Sequence, residues 1–320
     1  MFISTEFIKN KEIMKALAIQ LGLVLIASIS SINAQLDPSF RQNQFNALVL
    51  NPAQTGANDR NEISINAIKS WVGVEGAPKT ISAMGNFNLT DQLGLGVIVM
   101  NDEIGPVKSN RISLSSAYHL KLNKTWMASV GISGMVANVV VDRPSVSTTE
   151  LNDPHMQSIL NSGSQLRAGF GGLLYTKNFY VGVSQPLIGS VKFAYTNMNQ
   201  FVPNPSVVAY TGGIIKMNNQ WDFRPNLVYR YVKAFPVYLD GTALFTYDKK
   251  IDMGLSYQLN GAFGAILGLE INKALYVGYA YTYPTSRLNT VTSQSHELAV
   301  RMRFGKSKKK YGFQNPRFFN

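Results

Sequence analysis

Apolar and small polar side chains alternate residue by residue, in segment after segment, from about Asn61 to Phe304. The stretch from Thr80 to Leu89 shows the pattern plainly. Ile81, Ala83, Gly85, Phe87 and Leu89 fall on one face, and Thr80, Ser82, Asn86 and Asn88 on the other. Successive side chains of a strand point to opposite faces, so each segment predicts a strand between two different environments. The polar faces carry Gly, Ser, Thr, Asn and Gln rather than the Lys and Glu that usually cover a soluble sandwich. That combination suits a barrel with lipid outside and a hydrated or side-chain-filled lumen inside. The predicted fold class is all-β, a transmembrane antiparallel up-and-down β-barrel of the outer-membrane kind.

Turn residues divide the alternation into about fourteen strands. Six connections read as tight: Thr90-Asp91-Gln92, Asn123-Lys124, Lys177-Asn178, Asn218-Asn219, Asp248-Lys249-Lys250 and Asn272-Lys273. They are built from polar turn residues, among which Asn and Asp best tolerate the backbone angles. Between them fall connections that are mostly longer: Val74–Lys79, Asn101–Ser109, Val141–Gly163, Pro186–Pro205 and Pro284–Gln294, with Val232–Pro236 and Asn260-Gly261 as short exceptions. Barrels of this kind keep short turns in the periplasm and long loops outside, so both termini are expected in the periplasm. Aromatic girdles are expected at Trp126, Tyr175, Phe179, Trp221 and Tyr247 near the tight turns, and at Trp71, Tyr257 and Tyr283 near the opposite rim. Phe304 is the expected terminal aromatic of the last strand.

The two ends do not alternate. Lys9, Lys11 and Lys15 precede an apolar run from Ala16 to Ala27, which reads as a secretory signal over residues 1–34 with cleavage at Ala34|Gln35 and with Met14 as an alternative start. Residues 35–60 show near-helical spacing at Phe40, Gln44, Phe45, Leu48 and Val49 before Asn51-Pro52 stops the pattern. This segment is expected to begin in the periplasm and to plug the lumen, lie beneath it or fray. The barrel itself takes 61–304, and 305–320 form a basic tail containing Lys308, Lys309 and Lys310. No stretch after residue 35 is long and apolar enough for a helical span, and cysteine is absent, which removes thiol catalysis and disulfide scaffolds. The formal charge of +12 would suit nucleic acid, but a basic run that follows a lipid-facing strand of an exported chain reads as a solvated periplasmic tail or a docking segment, with no nucleic-acid partner.

Little in the chain resembles a catalytic site. His119, His155 and His296 are far apart and lack the companions a metal site needs, so no metal or cofactor is expected. His119 falls on a lumen face near Ser113 and Ser115, where a base beside a hydroxyl would be the only hint of nucleophilic chemistry. Asp102 and Glu103 read as an acidic pair in one external loop, and Glu150 and Asp153 as a looser pair in the next. Gly94, Gly96, Gly171 and Gly172 lie inside strands and read as relief of crowding on the lumen face or as bends. Arg111, Arg167, Arg230, Arg301 and Arg303 could line an anion-selective bore. Asp240, Asp252, Glu270 and Glu297 could instead pair with them and close it.

Several segments together resemble the PorP/SprF family. These are Asp37-Pro38-Ser39-Phe40-Arg41-Gln42 with Phe45-Asn46, Asn51-Pro52-Ala53-Gln54-Thr55-Gly56, Trp71 through Thr80, Asn101-Asp102-Glu103-Ile104-Gly105-Pro106, Tyr281-Thr282-Tyr283-Pro284 and Ser295-His296-Glu297-Leu298. No signature of the family is identified over Val141–Pro205 or in the Lys-rich tail. The resemblance implies an outer-membrane barrel of the type IX secretion and gliding machinery. Such proteins cooperate with a secreted cargo protein carrying a type B C-terminal sorting domain, and some associate with a periplasmic peptidoglycan-binding component. The expected role is therefore non-enzymatic, in export or surface anchoring of one cargo, with a diffusion porin or small-solute transporter as the alternative. Candidate partner-binding loop residues are Trp71, Val72, Val74, Pro78, Asp102, Ile104, Pro106, Phe201 and Val202. Candidate periplasmic docking residues are Phe40, Phe45, Lys308, Lys309 and Lys310. The remaining expected neighbour is outer-membrane lipid.

Overall fold

The computed structural model describes residues 40–42, 46–141, 163–192, 205–233, 235–259, 261–285 and 294–305. Its strands are β1 (Asn61–Lys69), β2 (Lys79–Asn88), β3 (Leu93–Ile104), β4 (Val107–Lys121), β5 (Met127–Val141), β6 (Gly163–Tyr175), β7 (Phe179–Lys192) and β8 (Ser206–Gly213). They continue as β9 (Ile215–Lys216), β10 (Trp221–Val232), β11 (Tyr238–Tyr247), β12 (Ile251–Gln258), β13 (Ala262–Glu270), β14 (Leu275–Pro284) and β15 (Ser295–Phe304). β9 is a two-residue continuation of β8 past Ile214, and both pair with β10, so the wall has fourteen spans. Every neighbour pairs antiparallel, and β1 pairs with β15 from Asn61↔Phe304 to Lys69↔His296, which closes the barrel. Closure leaves no sheet edge with unpaired backbone groups, the condition a sheet must meet in lipid.

The alternation sorts the two faces as expected. In β1, Glu62, Ser64 and Asn66 point inward and are buried, while Ile63 and Ile65 point outward. Ile112, Leu114, Val130, Ile132, Leu255 and Phe263 belong to the same outward, exposed apolar band, the face such a barrel turns to lipid. Outward aromatics pair across strands near the turns, Trp126 with Phe179, Trp221 with Tyr247 and Phe87 with Phe304, and near the opposite rim Tyr257 with Phe263. Tyr175 departs from the expected girdle. It faces the lumen at 1% exposure, because the inward parity of β6 runs through Gln165, Arg167, Gly171 and Leu173 to it.

All six tight turns lie at one end of the barrel, and five share one construction. Asn123, Asn218 and Asn272 each accept, through the side-chain oxygen, the backbone N–H groups two and three residues on. Thr90 and Thr176 do the same with their hydroxyls. A side-chain oxygen that satisfies two turn amides fixes the reversal without needing glycine. The sixth turn instead places Asp248 and Lys249 at φ of 45° and 56°, the left-handed pair that a two-residue hairpin requires.

The connections at the other end differ from expectation in two places. β3 and β4 run up to a two-residue reversal at Gly105-Pro106, with Ile104 opposite Val107, so Asn101–Ser109 is strand rather than a long loop. Gly105 takes φ of 55°, which lets the ladder continue that far. β7 likewise passes through Pro186 to Lys192, with register shifts against β6 beside that proline.

The fold makes a depth-dependent prediction. Ile132 is 69% exposed on the lipid face in the middle of β5. Ile132→Arg should cost about 2–4 kcal/mol in reversible urea titrations of the barrel in lipid vesicles, whereas Asn138→Arg near the rim should cost roughly 1 kcal/mol or less.

Candidate functional site: the plugged lumen and its rim

The described residues ahead of β1, 40–42 and 46–60, occupy the lumen. Only Ala47–Leu50 is α-helical, followed by a 3-10 turn at Pro52–Gln54, so the helical spacing expected from Phe40 onward is realised for a single turn among the described residues. Asn51, extended at φ −155°, separates the two, and Pro52 supplies the first position of the second turn. From Asn51 to Asp59 every residue is buried. The segment is a plug.

The plug descends the barrel. Arg41 meets residues near the loop end: its guanidinium donates to Asp240 at 2.6 Å and to Gln258 at 2.6 Å. Its backbone N–H donates to Glu297 at 2.7 Å, and the Gln42 N–H reaches the other oxygen of that carboxylate at 3.3 Å. Midway, the Asn51 amide group donates to the Gly172 carbonyl and to the Tyr210 hydroxyl, which also accepts from Gln54 at 2.7 Å. Ser129 and Ser184 donate to the Ala53 and Leu50 carbonyls. Lower down, Thr55 bonds Ser115, the Gly56 N–H donates to Asn86, and Asn88 donates to the Asn58 carbonyl. Arg60 ends the descent against the Lys273 carbonyl in a tight turn. Buried backbone groups with no water to meet them must find partners, and the lumen wall supplies them.

His119 takes part in this fastening. Its Nε2 lies 2.8 Å from the Thr55 carbonyl, which can only accept, so Nε2 carries the proton and Nδ1 accepts from the Tyr175 hydroxyl at 3.0 Å. Both ring nitrogens are committed to the plug and to Tyr175, not to Ser113 or Ser115.

Several wall glycines make room for the plug. A Cβ on Gly94 would collide with the Thr55 carbonyl and with Gly56, one on Gly131 with Pro52 and Ala53, and one on Gly171 with the Asn51 side chain. Gly96 is crowded by Ser115 and Thr55, but Gly172 points away and meets almost nothing, so relief of crowding holds for the first members of the sequence-predicted set and not for Gly172. Apolar wall residues that the alternation does not distinguish complete the fit. Phe40 packs with Ile68, Met84 and Met100, and Leu50, Ala53 and Ala57 share a cluster with Tyr180 and Tyr210.

Several of the charges in the bore pair with one another. Arg301 lies 3.7 Å from Glu62, and Arg303 lies 3.0 Å from Glu270. Asp252 accepts from Thr246. Asp240 and Glu297 serve the plug through Arg41.

At the loop end, the connection from Ser70 to Pro78 forms part of the rim. Trp71 has φ of 48°, and its N–H donates to Ser295. Val72 donates to the Gln294 carbonyl, Ser70 to the Pro78 carbonyl, and Gly105 to the Gly76 carbonyl. One loop is thereby tied to the β3–β4 reversal and to the start of β15, bringing Trp71, Val72, Val74, Pro78, Ile104 and Pro106 to one rim. Val74 and Ile104 are exposed. Asp102 does not belong there. It faces inward at 5% exposure and accepts a 2.6 Å hydrogen bond from Thr80, because β3 extends past it. Phe40 is likewise displaced from its expected periplasmic role, being 2% exposed inside the loop half of the barrel. Phe45, Phe201, Val202, Lys308, Lys309 and Lys310 lie outside the described residues.

If the glycines admit the plug, Gly131→Val should evict it while favouring the strand. Planar-bilayer recordings should show conductance that the unaltered protein lacks, and limited proteolysis should cut within residues 46–60. The barrel should still migrate faster unheated than heated in gels. A protected plug and a silent bilayer would refute the steric argument.

Among solved structures, the chain is similar to outer membrane protein Omp33 of Acinetobacter baumannii, at 13% identity over 78% of this chain and 100% of that one, with a TM-score of 0.45. It is also similar to the CymD monoaromatic hydrocarbon channel, at 14% identity over 85% and 96% of the two chains with a TM-score of 0.45. For the KdgM porin the values are 11%, 76%, 99% and 0.38. No curated protein matches significantly. A family model described as type IX secretion system membrane protein PorP/SprF matches residues 32–302. With most of its length so matched, and with a closed barrel as its fold, the chain belongs to the PorP/SprF family of type IX secretion outer-membrane proteins.

Proposed function

We propose that this barrel is a closed, non-enzymatic component of type IX secretion that supports export or surface anchoring of one secreted protein through its loop rim. The observation that carries this reading is the filled lumen. A porin needs a continuous wet path with charges that contact the solute. Here the path is occupied by residues 46–60, and the arginines Arg41, Arg301 and Arg303 are paired with carboxylates. Among the described residues at the loop end, the rim offers a surface for contact with another protein.

The rim has the character of a pre-ordered docking surface. Trp71 holds a left-handed backbone that costs a non-glycine residue about 1–2 kcal/mol, and its neighbours' hydrogen bonds over-determine it. Pro78 and Pro106 limit the loop's freedom further, which lowers the ordering cost of binding. The partner proposed for this surface is a cargo with a type B C-terminal sorting domain. On this reading the loop end faces the exterior and the turn end the periplasm, where a peptidoglycan-binding component of the machine could dock. β15 finishes at the turn end, so this reading also expects the C-terminus on the periplasmic side.

Two experiments test the reading. A mild-detergent pull-down from native outer membranes should recover one abundant secreted protein bearing a sorting domain. Recovery of the barrel alone, from cells shown to be exporting such cargo, would count against it. Trp71→Gly relieves the backbone while deleting the indole, so the barrel should be as stable or up to about 1 kcal/mol more stable in urea, yet lose most of the captured cargo. Unchanged capture would remove Trp71 from the rim. For orientation, a tag after Asn320 should stay hidden on intact cells while one inserted in 142–162 is accessible.

A further inference from the structure

The loop half of the lumen, above the plug, holds a cavity of about 80 Å³. Leu48 and Val49 of the plug face Ile98, Met100 and Met135 of the wall across it, and Arg111 and Arg230 line it with four serines and no acidic residue. Arg111 donates through Nε to Ser109. Arg230 is different. It is only 7% exposed, its Nε finds no hydrogen-bond partner, and its guanidinium rests over the Tyr238 ring at 5.6 Å. No ion pair forms between it and any described residue. The carboxylate nearest in register, Asp240, is already taken by Arg41, Tyr238 and Thr242. A buried guanidinium without an anion is costly; among the described residues, Arg41, Arg301 and Arg303 meet carboxylates while Arg230 faces the cavity without one.

We infer that the cavity is a binding site for a small carboxylate on a short apolar stem, such as a medium-chain fatty carboxylate. Its head pairs with Arg230, assisted by the serine hydroxyls, and its chain lies along Leu48, Val49, Met100 and Met135. Charge fixes the head group: the lining offers cations and hydroxyls and no acid, so an amine is repelled and an alcohol gains only a neutral hydrogen bond. This inference is independent of the cargo-anchoring role, since it concerns a site inside the barrel rather than on its rim.

The test is calorimetric titration of the purified full-length barrel in nanodiscs with octanoate, octanol and octylamine. Octanoate should bind saturably, octanol roughly tenfold or more weakly, and octylamine not at all. Arg230→Met, which keeps the length of the side chain, should abolish the preference for octanoate over octanol. It should also raise the thermal unfolding temperature of the ligand-free barrel, because it removes an unpaired buried charge. A purely structural arginine stacked on Tyr238 would give the opposite stability change, and that result would overturn the inference. So would equal binding of octanoate and octanol, or binding of octanoate by Arg230→Met as tight as by the unaltered protein. Capture of a hydrophobic peptide through its free C-terminal carboxylate, with octanoate inert, would replace the small ligand with a protein one.

Discussion

The need to satisfy every backbone polar group away from water governs this molecule twice. In the wall it requires closure, which the β1–β15 pairing supplies. In the lumen it requires that any chain placed there be met by donors and acceptors. The plug, with little regular structure of its own, is met by Ser129, Ser184, Asn86, His119 and Tyr210. They are the reason the bore can hold irregular backbone at membrane depth.

The same requirement explains the odd composition of the inner face. Glycine where the plug touches the wall, hydroxyls and amides where its carbonyls and N–H groups point, and apolar patches around Phe40 and Leu50 make a negative image of one peptide. Some of the charges are neutralised locally: Arg41 is gripped near the loop end, and Arg301 and Arg303 meet carboxylates toward the turn end. A face designed for passing solutes would have no reason to match a particular backbone.

The wall was legible in the sequence because its period is two and its turns carry their own chemistry. Asn123, Asn218 and Asn272 announce reversals, and the structure places turns there with the side-chain oxygens accepting the expected amides. The exceptions are physical too. Gly105-Pro106 looks like loop, yet a reversal of two residues lets β3 and β4 continue, which turns Asp102 inward. Tyr175 sits beside a turn but on the inward parity, so position along the strand suggests a girdle and parity denies it. The plug was harder to read. Its fastenings join residues as distant as Arg41 and Glu297, separated by 256 positions, and no local pattern encodes such pairs. What the sequence did carry was the unusual run Asn51-Pro52-Ala53-Gln54-Thr55-Gly56, which the structure places in close contact with the wall.

The direction of the plug constrains how the molecule is assembled. It passes from Arg41 near the loop end to Arg60 at the turn end and then becomes β1, whose partner at the seam is the last strand to be synthesised. Threading a peptide down a finished bore would strip and remake each of its fastenings in turn. Folding the sheet around it needs no such passage, and the glycine and serine contacts on β3 to β7 form at shorter sequence separation than the seam. The segment that fills the pore thus touches strands from β3 to β15, and its bond between Arg41 and Glu297 can exist only once β15 is in place.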